Sequence, residues 1–184
     1  MRNLTLLTDL YQLTMMNGYL ENGKEKDVAV FDLFFRRNGI ITYSVVAGLE
    51  QAVDYILNLR FEEEDIEYLR SLSLFSEKFL ESLKNFRFTG DVYAVPEGTV
   101  VFPEEPILTV KAPLCEAQLL ETALLNMVNH QTLIATKAAK VTYAAKGDSV
   151  MEFGLRRAQG PDAGIYGARA AVIGGCGATS DVLA

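Results

Sequence analysis

The sequence predicts an α/β protein, in which an α+β N-terminal domain is followed by the first units of a βα series. Two patterns indicate the first domain. Apolar residues recur at helical spacing, and short runs rich in β-branched and aromatic residues are broken by Gly and Pro turns. A third observation is the order strand, polar loop, helix, strand after Gly147. We therefore expect one domain over 1–147 and the start of a second over 148–184.

Apolar spacing and capping residues predict the helices. Thr8 and Asp9 are favourable N-caps for a first helix, which Gly23 ends. The acidic run EEED suits the positive N-terminal end of a helix dipole. Further helices are expected over 49–60, from 62–65 onward, around 79–83, over 119–128, and from roughly Thr132 to Ala145.

Runs of β-branched and aromatic residues predict the strands. In the first domain these are VAVFDLFFR (28–36), YSVVAG (43–48), GDVYAVPEG (90–98), TVVFPEEP (99–106) and ILTVKAP (107–113). After the boundary, SVMEFGL (149–155) is a short strand, AGIYGARAAVIGG (163–175) is a helix rich in small residues, and CGATSDVLA (176–184) begins with a strand-like turn. This order opens a βα series.

Composition places the chain of 184 residues among ordinary globular proteins, long enough for one domain and the start of another. Apolar residues make up 49%, and the net charge of −7 argues against a nucleic-acid partner, which needs a basic face. The charge is uneven, with −9 over 1–136 and +2 over 137–184. The positive end is either chance in a short segment or a sign of anionic ligands.

The sequence predicts a cytoplasmic protein without a membrane partner. No apolar run is long enough for a signal peptide or a membrane span. Cys115 and Cys176 lie in apolar surroundings and show no CxxC or Cys/His spacing, so a structural disulfide or a zinc site is not expected.

Several common kinds of active site are not predicted. The single histidine, His130, has no cysteine or carboxylate at ligand spacing, and we interpret it as structural. The chain shows no Ser-His-Asp set, no GxGxxG after a strand and no Walker loop. We assign no catalytic residue and no metal ligand within these 184 residues.

The stretch EFGLRRAQGPDAGIYGARAA carries the strongest chemical signal. Glu152, Phe153, Arg156 and Arg157 follow a short strand, where βα proteins place ligand groups. Adjacent guanidinium groups offer forked donors suited to carboxylate and phosphate. The alternative is a pair of arginines in salt bridges with acids of the first domain.

A second, weaker signal is GGCGATSD (174–181). Its glycines allow close approach to backbone N–H groups, and Thr179 and Ser180 add hydroxyl groups, as in an anion cradle. The alternative is an ordinary turn, since such clusters mostly mark turns.

The chain resembles the bacterial nicotinate phosphoribosyltransferases, with a more distant likeness to the nicotinamide and quinolinate enzymes. Several blocks in order carry the resemblance: LLTDLYQLTMMNGY (6–19), VVAGLEQAVDYI (45–56), FTGDVYAVPEGTVVFPEEPIL (88–108), EAQLLETALLNMVNHQTLIATKAAK (116–140) and MEFGLRRAQGPDAGIYGARAAVIGG (151–175). Enzymes of this family join nicotinate to 5-phosphoribosyl-1-diphosphate in NAD biosynthesis and salvage.

The resemblance implies ATP hydrolysis coupled to the reaction, Mg²⁺ as metal, and a homodimer with its active site at the subunit interface. It implies an N-terminal α/β domain beside an irregular α/β barrel. It places the base-stacking aromatic rings on Phe153 and, from the neighbouring subunit, on Tyr11. It assigns further ligand contacts to Asp9, Arg156, Arg157, Thr179 and Ser180.

Two departures from the family pattern lead to expectations. The stretch RNGIITYSVV (37–46) lacks a Gly-rich insertion common in relatives, so that loop is expected to differ. The chain ends at Ala184, before the family's catalytic histidine segment, so we expect an N-terminal fragment that is inactive alone. The alternatives are a truncated product that only folds, dimerises or binds a ligand, and a related enzyme for nicotinamide or quinolinate.

Overall fold

The structure, a computed structural model, describes residues 3–37, 39 and 42–184. The stretch 37–46, where the sequence predicts a loop unlike that of relatives, therefore lies partly outside the described residues. Among the described residues, no helix is long and apolar enough to cross a membrane.

Groups of helices and groups of strands follow one another along the described chain. The helices are α1 (Leu10–Glu21), α2 (Leu49–Asn58), α3 (Glu63–Ser71), α4 (Glu77–Leu83), α5 (Leu114–Ala144) and α6 (Pro161–Ile173), with a 3₁₀ turn at Leu155–Arg157. The strands are β1 (Val28–Leu33), β2 (Ser44–Val45), β3 (Asp91–Ala94), β4 (Val100–Val101), β5 (Leu108–Pro113), β6 (Met151–Glu152) and β7 (Ala178–Thr179).

The strands form three small sheets in the described chain. One has three strands in the order β1-β5-β3, so β5 is central. A second pairs β2 with β4 in antiparallel register, with Ser44 opposite Val101. The third pairs β6 with β7 in parallel, as a βα series requires.

Contacts divide the chain into two compact units that are interleaved in sequence. The first takes the described residues within 1–32, 53–93 and 109–124. The second takes those within 33–52, 94–108 and 125–184. This division does not test the domain boundary near residue 147, which stays a prediction.

Large apolar side chains form the core of the first unit. Met16 of α1, Ile66 and Leu69 of α3, and Leu119 and Leu120 of α5 are each at most 1% exposed. Of the apolar residues at helical spacing in α1, Leu13 and Met16 are buried, whereas Leu10 is 49% exposed.

Small residues form much of the core of the second unit. Val45, Ala47, Ala135 and Ala170 make one buried cluster, against which Ile134 and Ile173 pack. Gly174 ends α6 against α5, where a Cβ atom would lie 2.4 Å from the Ala135 carbonyl oxygen. The small-residue character of α6 thus allows two helices to approach closely.

One long helix, α5, replaces the two helical segments predicted over 119–128 and from Thr132. The prediction was wrong because the polar residues between the segments do not interrupt the helix. Gln131 and Thr132 are buried, and both are hydrogen bonded. Gln131 Nε2 donates to Gln51 Oε1 at 2.8 Å, and Thr132 Oγ1 donates to the Ala47 carbonyl at 3.1 Å.

Strand β2 is also shorter than the predicted stretch 43–48. Side chains of α5 take the place of a further strand along its edge. The Val45 N–H donates to Thr136 Oγ1 at 2.9 Å, and the Ala47 N–H donates to Thr132 Oγ1 at 3.2 Å. The buried threonines of α5 thus satisfy backbone groups that a sheet would otherwise pair.

Candidate ligand site at the ends of two parallel strands

The parallel pair β6 and β7 positions the candidate site. Helix α6 forms the crossover between the two strands, so their carboxyl ends meet at one edge. In the register, Met151 lies opposite Ala178 and Glu152 opposite Thr179. Open α/β folds bind ligands outside the carboxyl ends of their parallel strands.

The side chain of Glu152 ties the two strand ends together. One carboxylate oxygen accepts a hydrogen bond from Thr179 Oγ1 at 2.7 Å, and the other accepts the Gly154 N–H. The Ser180 N–H adds a bond to the Glu152 carbonyl at 3.0 Å. A Cβ atom at Gly154 would lie 2.6 Å from Glu152 Oε1, so glycine gives this carboxylate the space it needs. Sequence reasoning had noted Glu152 but assigned it no such part.

Phe153 lies between Glu152 and Gly154, which the Glu152 carboxylate joins through its hydrogen bond to the Gly154 N–H. Its ring is 58% exposed, a large fraction for an aromatic side chain. Because the Glu152 carboxylate bonds the backbone on the far side of Phe153, the loop that carries the ring is held at both ends.

Arg156 and Arg157 follow in the 3₁₀ turn, and both are exposed. Within residues 3–37, 39 and 42–184, no carboxylate forms an ion pair with either guanidinium. The alternative, in which these arginines form salt bridges with acids of the first domain, therefore finds no carboxylate partner for them in the described chain. The start of α6 packs on the same turn, because Gly164 leaves room for Leu155.

The residues after β7 include one that sequence reasoning missed. The Asp181 side chain is buried, and its Oδ1 accepts the Leu183 N–H at 3.0 Å. Its Oδ2 has no hydrogen-bond partner among the described residues. Thr179 Oγ1 accepts the Asp181 N–H at 3.0 Å, while Ser180 is exposed. An acid two residues after a strand was the available signal, but sequence alone does not show burial.

Asp9 and Tyr11 belong to the other compact unit, at the start of α1. Asp9 is the N-cap residue, and its Oδ2 accepts a hydrogen bond from Thr122 Oγ1 at 2.9 Å. The Tyr11 ring is 49% exposed. The pKa of Tyr11 is raised, first by loss of solvent and then by the negative charges of Glu121 and Asp9. Their assignment to the site of Phe153 stays a prediction.

His130 has a structural contact. Its Nε2 lies 3.3 Å from the Ala163 carbonyl oxygen at the start of α6, and the side chain is half-buried. This contact fits the interpretation of His130 as a packing residue.

An ion-pair cluster around Arg169 of α6 was not predicted. The guanidinium bonds Glu97 Oε2 at 2.6 Å and also pairs with Glu50. Glu97 Oε1 accepts the Gly48 N–H at 2.6 Å and the Leu49 N–H at 3.0 Å, so it caps α2. Burial raises the pKa of Glu97, but the hydrogen bonds from Arg169 and Gly48 outweigh it and hold that pKa below its usual value.

The described residues do not form a metal cage. Among them, no group of three or more His, Cys, Asp or Glu side chains is placed to hold a metal ion. The described residues therefore do not fit a metal held by protein ligands alone, although Mg²⁺ is commonly bound through one or two carboxylates and substrate phosphates.

The sequence and structure resemble those of known enzymes. The sequence model described as the nicotinate phosphoribosyltransferase (NAPRTase) N-terminal domain matches residues 6–129. The nicotinate phosphoribosyltransferase of Bacillus subtilis is 50% identical, over 99% of this chain and 37% of its own. The crystal structure of human nicotinic acid phosphoribosyltransferase has a TM-score of 0.88 and 39% identity, over 96% of this chain and 36% of its own.

A solved structure of a protein with a different name shares the fold. The nicotinate-nucleotide pyrophosphorylase from Pyrococcus furiosus has a TM-score of 0.75 and 27% identity, over 98% of this chain and 39% of its own. The α/β fold class is confirmed by these matches. This chain spans little more than a third of the length of the relatives described. Because the domain match covers more than half of it, the chain belongs to the nicotinate phosphoribosyltransferase family.

Proposed function

We propose that the protein containing this chain transfers the phosphoribosyl group of 5-phosphoribosyl-1-diphosphate to nicotinate, forming nicotinate mononucleotide and diphosphate. One observation carries the proposal: an exposed aromatic ring, Phe153, and two guanidinium groups without carboxylate partners in the described chain follow the same strand of a parallel pair. The name of the Bacillus subtilis relative supports the same reaction.

The chemistry of nicotinate matches these side chains. Nicotinate is a flat aromatic ring that carries a carboxylate. An aromatic pair that includes Phe153 gains about 0.5–1.5 kcal/mol beyond the burial of area. The planar guanidinium groups of Arg156 and Arg157 suit a carboxylate or a phosphate, and their positive charge compensates the negative charge of an anionic substrate.

We assign the phosphorylated substrate to the segment around β7. Gly174 packs on α5, whereas Gly177 is exposed just before Thr179 and Ser180, and a glycine there lets a phosphate approach the backbone. The hydroxyl of Thr179 is already bonded to Glu152, whereas Ser180 is exposed. Ser180 is therefore the residue that we expect to reach the phosphate directly.

We propose that the protein acts as a homodimer in which Tyr11 and Asp9 come from the neighbouring subunit. The family resemblance supports this arrangement. The exposed ring of Tyr11 is available for a second stacking face. Two aromatic faces, one on each side of the pyridine, would hold the base between them.

We propose that the complete protein couples the transfer to ATP hydrolysis and uses Mg²⁺ as its metal cofactor, again from the family resemblance. Mg²⁺ would supply positive charge to the departing diphosphate when bound. The described residues supply no metal cage of their own. Initial rates with and without ATP, and with a chelator, test both requirements.

Comparing three pyridine bases tests the choice of substrate. Nicotinamide lacks the carboxylate of nicotinate, and quinolinate carries two. In full-length protein we expect turnover with nicotinate, and at most weak turnover with the other two at equal concentration. Preferred use of nicotinamide or quinolinate would assign the protein to a related enzyme and overturn the proposal.

Residues 1–184 alone are expected to form no nicotinate mononucleotide. The transfer needs preorganised donors at the developing charges, and this chain, which spans little more than a third of the length of its relatives, is expected to supply only part of that set. A purified sample with turnover above the rate without protein would contradict this.

A cytoplasmic location also stays a prediction, which imaging of the tagged protein tests.

A further inference from the structure

Gln12 is a fully buried polar residue next to Tyr11 in α1. Its side chain is 0% exposed, although glutamine is mostly found at protein surfaces. An apolar side chain of similar size would fill the same volume without the cost of burying an amide. The hydrogen bonds of Gln12 therefore need an explanation.

Every polar atom of the Gln12 side chain has a partner in the same compact unit. Its Nε2 donates to the Tyr11 hydroxyl at 3.0 Å and to Glu121 Oε2 at 2.7 Å. Its Oε1 accepts a hydrogen bond from Gln118 Nε2. Both hydrogens of the amide are used, so the carboxylate of Glu121 and the amide of Gln118 fix its orientation.

The consequence of this network falls on the Tyr11 ring. The ring is 49% exposed, but its hydroxyl is bonded to a side chain that is itself immobilised in the core. Rotation about the first side-chain torsion of tyrosine moves the hydroxyl, so an anchored hydroxyl restricts that torsion, whereas rotation of the ring about its own axis leaves the hydroxyl in place. The ring is therefore held in one position before any ligand arrives, which lowers the entropic cost of binding.

The raised pKa of Tyr11 agrees with this arrangement. Loss of solvent is the first cause, and the carboxylates of Glu121 and Asp9 are the next. A phenolate would face those two negative charges, so the hydroxyl stays protonated at neutral pH and stays neutral as the partner of Gln12.

We propose that Gln12, held by Gln118 and Glu121, is a positioning residue that holds the Tyr11 ring in place to receive a flat, anionic heteroaromatic base. The role rests on the proposed function, because Tyr11 is assigned there as a stacking residue. Gln12 itself touches Tyr11 and not the base.

A double-mutant cycle on nicotinate kinetics tests the proposal in full-length protein. Tyr11→Phe removes the hydroxyl and keeps the ring, and Gln12→Leu removes the amide and keeps the bulk. We expect each single variant to raise the KM for nicotinate about three- to ten-fold, the range for one neutral hydrogen bond, with kcat nearly unchanged. The double variant should show no further loss, because Gln12 acts through that hydroxyl.

Thr14→Ala is the matched control in the same helix. Thr14 is exposed, and its hydroxyl bonds only the Tyr11 carbonyl at 3.1 Å, so the KM should stay at the wild-type value. Additive losses in the double variant, or a Gln12→Leu effect on kcat alone, would overturn positioning through the hydroxyl. If Gln12→Leu does not fold, a wild-type KM in Tyr11→Phe would by itself overturn positioning through the hydroxyl.

Mobility of the tyrosine ring separates this proposal from the proposed function. Carbon-13 relaxation of labelled tyrosine rings should show the Tyr11 ring as restrained in the wild type and more mobile in Gln12→Leu. If nicotinate is turned over while neither mobility nor KM changes, the positioning role is wrong and the transferase stands. If mobility rises but nicotinate is not a substrate, the transferase proposal fails, and so does the assignment of nicotinate to this ring.

Discussion

At the scale of single residues, Arg156 and Arg157 carry the charge of the candidate site. Two adjacent guanidinium groups repel each other, and no carboxylate of the described chain pairs with either. We expect Arg156→Ala to lower kcat/KM for nicotinate roughly ten- to hundred-fold. This factor corresponds to a loss of about 1.5–3 kcal/mol in transition-state stabilisation, the range for a hydrogen bond to a charged group. Steady-state kinetics of full-length protein measure this loss.

Two further variants serve as controls for the effect of Arg156→Ala. Arg156→Lys keeps the charge but loses the planar fork, so its kcat/KM should lie between those of wild type and Arg156→Ala. Lys137→Ala removes another exposed cation, from α5, and should leave the kinetics unchanged. Wild-type kinetics in Arg156→Ala would remove this residue from the site.

Glu152 provides a second test at this scale. Glu152→Ala removes the bonds to Thr179 and Gly154, so we expect the unfolding free energy to fall by about 0.5–1.5 kcal/mol for each lost bond and the KM for nicotinate to rise. Glu152→Gln should keep most of both properties, because its carbonyl can accept the Gly154 N–H while the Thr179 hydroxyl turns to accept from the amide. Denaturant unfolding and nicotinate titration measure the two effects. Equal behaviour of the two variants would contradict a geometric role.

Residues whose type and motif indicate a chemical role were found from the sequence, and residues whose role depends on burial were not. Phe153 and Arg156 stand in a motif that is readable without a structure. Asp181 and Gln12 look like ordinary polar residues until the structure shows them buried. Whether a polar side chain is solvated or enclosed depends on segments distant in sequence. Gln12 meets α5 more than one hundred positions away.

At the scale of elements, periodicity predicted the existence of nearly every helix and strand but not the continuity of α5. The error arose at Gln131 and Thr132, where polar residues indicated a break in the apolar stripe. Both bond partners near the start of α2, so the helix continues through them. A side chain that satisfies backbone groups of another segment leaves no local signal in its own.

Arg169 and Glu97 link α6 to the start of α2 and give a prediction about pH. The pKa of Glu97 in the folded chain lies below its unfolded value of about 4.5. The ion pair therefore stabilises the fold above that pH, and its contribution is lost as the pH falls through the folded pKa. We expect Glu97→Gln to lower the unfolding free energy near pH 7 and the difference from wild type to shrink below about pH 4.5.

Denaturant unfolding of wild type and Glu97→Gln between about pH 3.5 and 7 measures this dependence. The variant Asp54→Asn is the control, because it removes an exposed carboxylate from α2 beyond the first turn of that helix. A difference between wild type and Glu97→Gln that stays constant over the whole range would show that charge at Glu97 does not stabilise the fold.

At the scale of the whole molecule, the fold class followed from the order of elements, and the parallel pair β6 and β7 confirms the start of a βα series. The compact units could not be predicted, because each collects three segments separated along the chain. A boundary in the sequence is visible as a change of composition. A unit built from interleaved segments depends on which faces pack together, and no composition change marks it.

The last prediction concerns the proposed sharing of the site between two subunits. Tyr11→Ala and Phe153→Ala each remove one of the two rings assigned to the pyridine base, so each full-length variant should be impaired when pure. If Tyr11 acts from the neighbouring subunit, a heterodimer of the two variants has one site with both wild-type rings and one site with neither. Mixing the variants and allowing subunit exchange should then restore activity, up to half of the wild-type value per heterodimer.

Differently tagged subunits, isolated by two successive affinity steps, give the amount of heterodimer against which the recovered activity is measured. Mixing Tyr11→Ala with a second tagged copy of Tyr11→Ala is the matched control, because exchange there creates no complete site. Recovery only in the mixed heterodimer requires that the two rings of one site come from different chains. Heterodimers that form in quantity but stay at the activity of the pure variants would place both rings within one chain, and the proposed contribution of Tyr11 across the interface would be wrong.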